Sequence, residues 1–339
     1  MIIPLIQALY DPRTPLPHDL LFYEKALQDI EYFTLSSQIY YLFNQQSRWG
    51  QVPLFFQERL KQKYDETLYL NLFIKNQTNQ LLLKFEELGI PVIPLKGVYF
   101  AEKYFGHLGA RGTTDIDLLL QKHDLEKAIA CVKQLGYTIE QERTPSHFHW
   151  SFSKLLPHSS IPLTVELHWD LLIEKTSNLN MSEFWEQASP LSSFRFVKEL
   201  SDYHTFYMIC LHGWSHYMDS PKYFIDIIQM IHVRHEHINY SHLLSGAATH
   251  QTLRRMIRTL VNVYHHFPHL THIKELPIHR KISLYVEYRA IRSRNFKPFL
   301  NKIYNKFFNF DSLGHTWAAF VNFTYSVGIM RFSHKIKRM

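Results

Sequence analysis

Residues 111–120, RGTTDIDLLL, set two aspartates one residue apart at the start of an apolar run. On an extended strand, side chains two apart share a face and the residue between them takes the other. The spacing therefore predicts a strand with Asp115 and Asp117 on one side and Ile116 turned into the core. Parallel carboxylates repel each other, and each loses hydration on burial. A divalent cation relieves both effects, and hard oxygen ligands on a rigid strand suit Mg²⁺.

The flanking segments define the frame around this strand. Residues 18–46 and 64–89 carry apolar side chains at three- and four-residue spacing, the second run ending at Gly89, which predicts helices. Gly50 and Pro53 supply the turn between them. The texture changes at Ile90, where IPVIPL, residues 90–95, reads as a short buried strand. Gly97 opens an expected helix closed by Gly106. After the aspartates comes an amphipathic helix, residues 122–137, with Asp124 as its cap and Gly136 as its stop. Residues 147–155 and 163–172 alternate as two more strands, joined by a turn at 157–162. From about residue 200 the helical period returns in 202–217, 223–235 and 250–267, with breaks at Pro221 and Pro268. The expected organisation is a helical region 1–89, an α/β core 90–175 and a helical region 176–339.

Glu166, in the strand-like run LTVELHW, adds a third carboxylate. If its strand neighbours the first, the three acids can hold metal against a triphosphate and an attacking hydroxyl. PLKG, residues 94–97, supplies a phosphate site: Gly97 lets the backbone approach closely, the following helix N-terminus offers free N–H groups, and Lys96 adds a point charge. Arg111 stands where it can grip donor phosphate or an acceptor anion, or pair with Asp115 or Asp117 in the absence of metal, and Thr114 is a further candidate contact. His168 shares a strand face with Glu166, either to orient a ligand and accept a proton or as a structural histidine.

The combination of LKG, RGTTDIDLLL, VELHW and the later CLHGWSHY and KYFIDI, over about residues 92–230, resembles the bacterial family of uncharacterised nucleotidyltransferases, within the polymerase β-like superfamily. The resemblance implies an α+β fold, a small mixed β-sheet core between helical N-terminal and C-terminal regions. It implies metal-dependent transfer of a nucleotide, with Asp115, Asp117 and Glu166 as ligands to Mg²⁺ (or Mn²⁺). It also makes His212, Lys222 and Asp226 candidates for acceptor or base contacts. In one respect the chain departs from the superfamily pattern: Val98, not Ser, follows Gly97, and the interval to Asp115 is long. That leaves two donors open, a nucleoside triphosphate or a nucleotide-sugar, and the acceptor open among small molecule, peptide, protein and RNA.

Composition narrows the remaining classes. Hydrophobic residues make up 46% of the 339 and aromatics 15%, enough for a sizeable core and against disorder. The net charge of +7 favours anionic partners. A non-catalytic RNA- or protein-binding module is compatible with it, although the aromatics fall at helical core spacing. His212 and His216 have metal-ligand spacing without the adjacent Glu or third ligand of a zinc hydrolase. Two separated cysteines, Cys131 and Cys210, read as core residues in a reducing compartment. With no apolar run of about 18 residues, no membrane span is expected and a cytoplasmic location follows.

Overall fold

The computed structural model describes residues 2–140, 147–155, 162–278, 307 and 309–336, with side chains to 324. It is 61% helical, with a small mixed sheet of five strands, the expected α+β fold. Four helices lead: α1 (Ile2–Tyr10), α2 (Leu20–Tyr32), α3 (Ser36–Gln46) and α4 (Leu54–Glu87). Asp19 caps α2 by accepting from Leu21 N–H, and α4 runs for 34 residues before Gly89, at φ +65°, turns the chain. α1 was not read from the sequence, the run 18–46 is divided into α2 and α3, and α4 starts ten residues before the expected 64; Pro4 of α1 falls in the first turn, where its missing N–H has no intrahelical partner to lose.

The sheet follows in β1 (Val92–Pro94), β2 (Asp115–Leu120), β3 (Thr138–Ile139), β4 (His149–Lys154) and β5 (Leu163–His168), in the order β1-β2-β5-β4-β3. β2 and β5 are parallel and the other pairs antiparallel. Between β1 and β2 lies a short helix, α5 (Val98–Phe100), that continues as a π-turn to Phe105 and stops at Gly106, φ +76°. Helix α6 (Leu125–Gln134) links β2 to β3 and ends at Gly136 as expected. Asp124 precedes α6, but its carboxylate makes no cap hydrogen bond, contrary to the sequence expectation. A 3₁₀ turn, Lys122–Asp124, already leads the chain into the helix. Of the turn expected at 157–162, residues 157–161 lie outside the described residues, as do the side chains of the basic tail 331–339.

Past the sheet come α7 (Met181–Glu186), a hairpin of β6 (Ser189–Pro190) and β7 (Lys198–Glu199), α8 (Asp202–Ser215), α9 (Pro221–Arg234), α10 (Tyr240–Thr249), α11 (Leu253–His266) and α12 (Leu313–Ile336). Pro221 is the first residue of α9 rather than a break, because a helix start does not need its missing N–H. No helix among the described residues is long and apolar enough to cross a membrane.

Strand alternation divides the sheet between two cores. Ile116, Leu118, Leu120, Val165, Leu167 and Phe152 face one way and pack with Ile129 and Val132 of α6 and Phe85 of α4. Ile93 and Leu119 face the other way, into a larger core filled by α1–α3 and α8–α11. Asp115, Asp117, Glu166 and His168 share that second face with Leu119. The polar site thus lies on the side of the sheet that meets the helical bundle.

Candidate active site

The parallel pairing of β2 with β5 sets Asp117 directly beside Glu166, Asp115 beside Thr164 and Leu119 beside His168. The antiparallel partner β4 adds His149 opposite His168. Three acids and two imidazoles therefore crowd one face of three adjacent strands.

His168 joins two of the acids. Its Nε2 lies 3.0 Å from Asp117 Oδ1 and 3.2 Å from Glu166 Oε2. Carboxylate oxygens only accept, so Nε2 carries the proton. Burial alone would lower the His168 pKa, yet hydrogen bonds to Asp117 and Glu166 raise it above the ordinary imidazole value. Lys96 Nζ closes the other side, 3.0 Å from Asp117 Oδ2 and 3.9 Å from Asp115 Oδ2. Burial opposes the charge on Asp117, but Lys96 and His168 together hold its pKa well below the usual carboxylate range. Glu166 is likewise lowered against its burial, chiefly by His168. In contrast, His149 is pushed down to about 4 by burial and by charge on His168, so its imidazole is neutral.

Among the described residues, Lys96, Asp115, His149, Glu166 and His168 line a cleft of about 550 Å³ that is also lined by His212 of α8 and His216 just after it. Asp117 lies beneath the rim, 3% exposed. Its Oδ2 is buried and faces the Lys96 ammonium at 3.0 Å. That oxygen and the accessible carboxylates of Asp115 and Glu166 are hard donors of the kind that Mg²⁺ or Mn²⁺ takes. Among the described residues, the group whose ligand atoms lie within 4.8 Å of one another is His149, Glu166 and His168 rather than the three acids.

The loop before β2 is fixed from α4. Asn71, fully buried, donates to the carbonyls of Leu108 and Arg111 at 2.7 Å each and accepts from Thr113 N–H. Gly97 (φ +74°, ψ −135°) occupies backbone space that only glycine enters without strain, and a Cβ there would stand 3.2 Å from Thr113 Cγ2. Thr114 is exposed beside Asp115, its Oγ1 3.5 Å from Asp115 Oδ1.

Arg111 corrects an expectation. Rather than facing a donor phosphate or the β2 aspartates, its guanidinium forks onto Asp226 of α9 through two 2.8 Å bonds, with both side chains buried. The pair bolts the β2 loop to the helical bundle; Asp226 is a structural acid. Lys222, one turn earlier on α9, donates to the Gly112 carbonyl, and burial plus the charge on Arg111 pull its pKa to about 8. His212 stays neutral, pushed down by burial and by Lys96, and His216 stacks on Tyr223.

Sequence reasoning did not find His149 or Asn71. The alternation in residues 147–155 could have placed His149 on a strand face, but its register against His168 is set only by pairing.

A family model described as "Uncharacterised nucleotidyltransferase" matches residues 27–268. No curated protein and no solved structure matches the chain significantly.

Proposed function

The chain belongs to that uncharacterised nucleotidyltransferase family, and on this premise we propose that it transfers a nucleotide from a nucleoside triphosphate to a hydroxyl or phosphate acceptor with the help of a divalent metal. The observation that supports the reading is the register of β2 against β5, which sets Asp115, Asp117 and Glu166 on one face of the sheet, with Asp115 and Glu166 lining the cleft and Asp117 buried beneath its rim. These three residues would hold Mg²⁺ or Mn²⁺, which supplies Lewis acidity toward phosphate oxygens when bound.

The remaining roles belong to the chain's own groups. Lys96 offers a point charge to the donor phosphates, and Gly97 lets them approach the backbone. His168 fixes the orientations of Asp117 and Glu166 by spanning them. Glu166, or the neutral His149 whose Nε2 lies 3.7 Å from it, takes the proton from the acceptor hydroxyl as its oxygen bonds to the α-phosphorus and the bond to the β-phosphate breaks, releasing pyrophosphate. Charge preorganised where phosphate charge spreads is the main catalytic contribution in such transfers.

The test is incubation with each labelled nucleoside triphosphate and Mg²⁺ or Mn²⁺, beside an Asp115→Asn, Asp117→Asn double variant. The expected result is a product heavier by a nucleoside monophosphate, absent with the variant. Incorporation indifferent to the substitutions removes the site. A product heavier by a hexose, formed from a nucleotide-sugar, replaces the donor.

A further inference from the structure

The cleft that holds the acids also contains a buried cation that the proposed chemistry does not use. Arg255 of α11 is 0% exposed and lines this cleft. Its Nη2 donates to the carbonyls of Thr176 at 2.6 Å and Gln251 at 3.0 Å. Nε and Nη1 are buried with no hydrogen-bond partner, and Arg255 forms no ion pair among the described residues. Trp214 Nε1, on the same cleft wall, is a third buried donor without a partner.

The surroundings are apolar. The guanidinium carbon lies 5.2 Å from the Trp214 ring centroid and 5.0 Å from that of Phe310, and Leu172, Ala319 and Phe323 continue the lining. Burial draws the Arg255 pKa down to about 10, opposed mainly by Asp311, whose carboxylate stands beyond ion-pair distance. A buried guanidinium with unused N–H groups is costly unless an anion completes it. Planar forked donors suit carboxylate or phosphate oxygens.

We propose that Arg255 and Trp214 form the acceptor subsite of the cleft, which receives a carboxylate or phosphate group carried on an apolar or aromatic body. The unused N–H groups take the oxyanion, and the Leu172, Phe310 and Phe323 walls take the apolar part. This rests on the nucleotidyltransferase reading for the word acceptor, but the anion site is testable without turnover.

Calorimetric titrations with phenyl phosphate, phenylacetate and neutral benzyl alcohol provide the test. At least one anion should bind, and benzyl alcohol should bind at least about tenfold more weakly, as the loss of a charge-assisted hydrogen bond implies. Arg255→Met should lose the anion by a similar factor. Ala319→Phe, which fills the apolar wall and leaves Arg255 intact, should lose it too and serves if Arg255→Met fails to fold. Nucleotide binding measured on the same variants should be retained. Equal binding of benzyl alcohol, or undiminished anion binding by folded Arg255→Met or by Ala319→Phe, overturns the subsite. Nucleotide binding unaffected by the Asp115→Asn, Asp117→Asn variant strikes the donor reading alone.

Discussion

Asp115 and Asp117 have the same side-chain chemistry and different surroundings, and the difference makes a prediction. Asp117 is the shared counter-charge of Lys96 and His168 in a buried position, whereas Asp115 is about one-third exposed on the cleft rim. Asp117→Asn leaves two buried cationic groups short of charge and should cost about 3 kcal/mol or more. Asp115→Asn sits in solvent reach and should cost less than about 1 kcal/mol. Urea denaturation separates the two, while both variants should lose nucleotide incorporation. Equal stability losses would mean that Asp117 is not the centre of the cluster. Arg111 shows the same principle from the other side: its phosphate-binding chemistry is spent on Asp226, so its role is to hold elements together.

At the scale of elements, the site depends on a loop that no strand contains. Residues 108–113 are held by Asn71 of α4 besides the Arg111–Asp226 and Lys222 contacts to α9, and Asn71→Ala strands two carbonyls and one N–H in a dry place. The expected penalty is about 2–4 kcal/mol. Because this loop delivers Asp115 and presses on Gly97, the Michaelis constant for the donor nucleotide should rise as well. Thermal melting and initial-rate kinetics check the two effects. A stable variant with unchanged kinetics would show that β2 alone positions the acids. The β2–β5 pairing, by contrast, is a parallel ladder of five registered pairs, backed by α6 on the face away from the cleft. It is the rigid part of the site.

Across the whole molecule, one large core ties α1–α3 to α8–α11 and reaches the sheet through Ile93 and Leu119. Burial lowers several histidines of this region, His204 and His232 among them. His204 is buried against Phe184, at 4.2 Å between ring centroids, and burial lowers its pKa to about 4; His232 is lowered to about 4 by burial and by neighbouring His269. Between that value and the ordinary 6.5, the unfolded chain binds more protons than the folded one, so stability rises with pH. The contribution is complete above about pH 6.5 and disappears as the pH falls toward 4, with His204 alone worth at most about 3 kcal/mol. Urea midpoints at pH 7 and pH 4.5 should show the loss, and His204→Gln should reduce its slope. An unchanged slope would assign the acid sensitivity elsewhere.

Much of this was legible in the chain itself. The alternation in DIDLLL predicts which of its residues face the core and which the cleft, and the three-to-four spacing predicts helix over α2 and α3, though not the break between them, and over most of α4, α8, α9 and α11. These are local steric periods, written in neighbouring residues. Gly89, Gly106 and Gly136 were readable as stops because each supplies a positive φ at its own position. The partner of Arg111, 115 residues away, was not readable, nor was the register that puts His149 beside Glu166. The Arg255 guanidinium, walled by Trp214 and Phe310, was equally hidden. Each depends on which distant segments meet and in what register, and that is decided by burial of the common core. The sequence by itself determined the faces of the elements and the chemistry available on them; the tertiary structure decided which of those charges pair with each other and which stay open to a ligand.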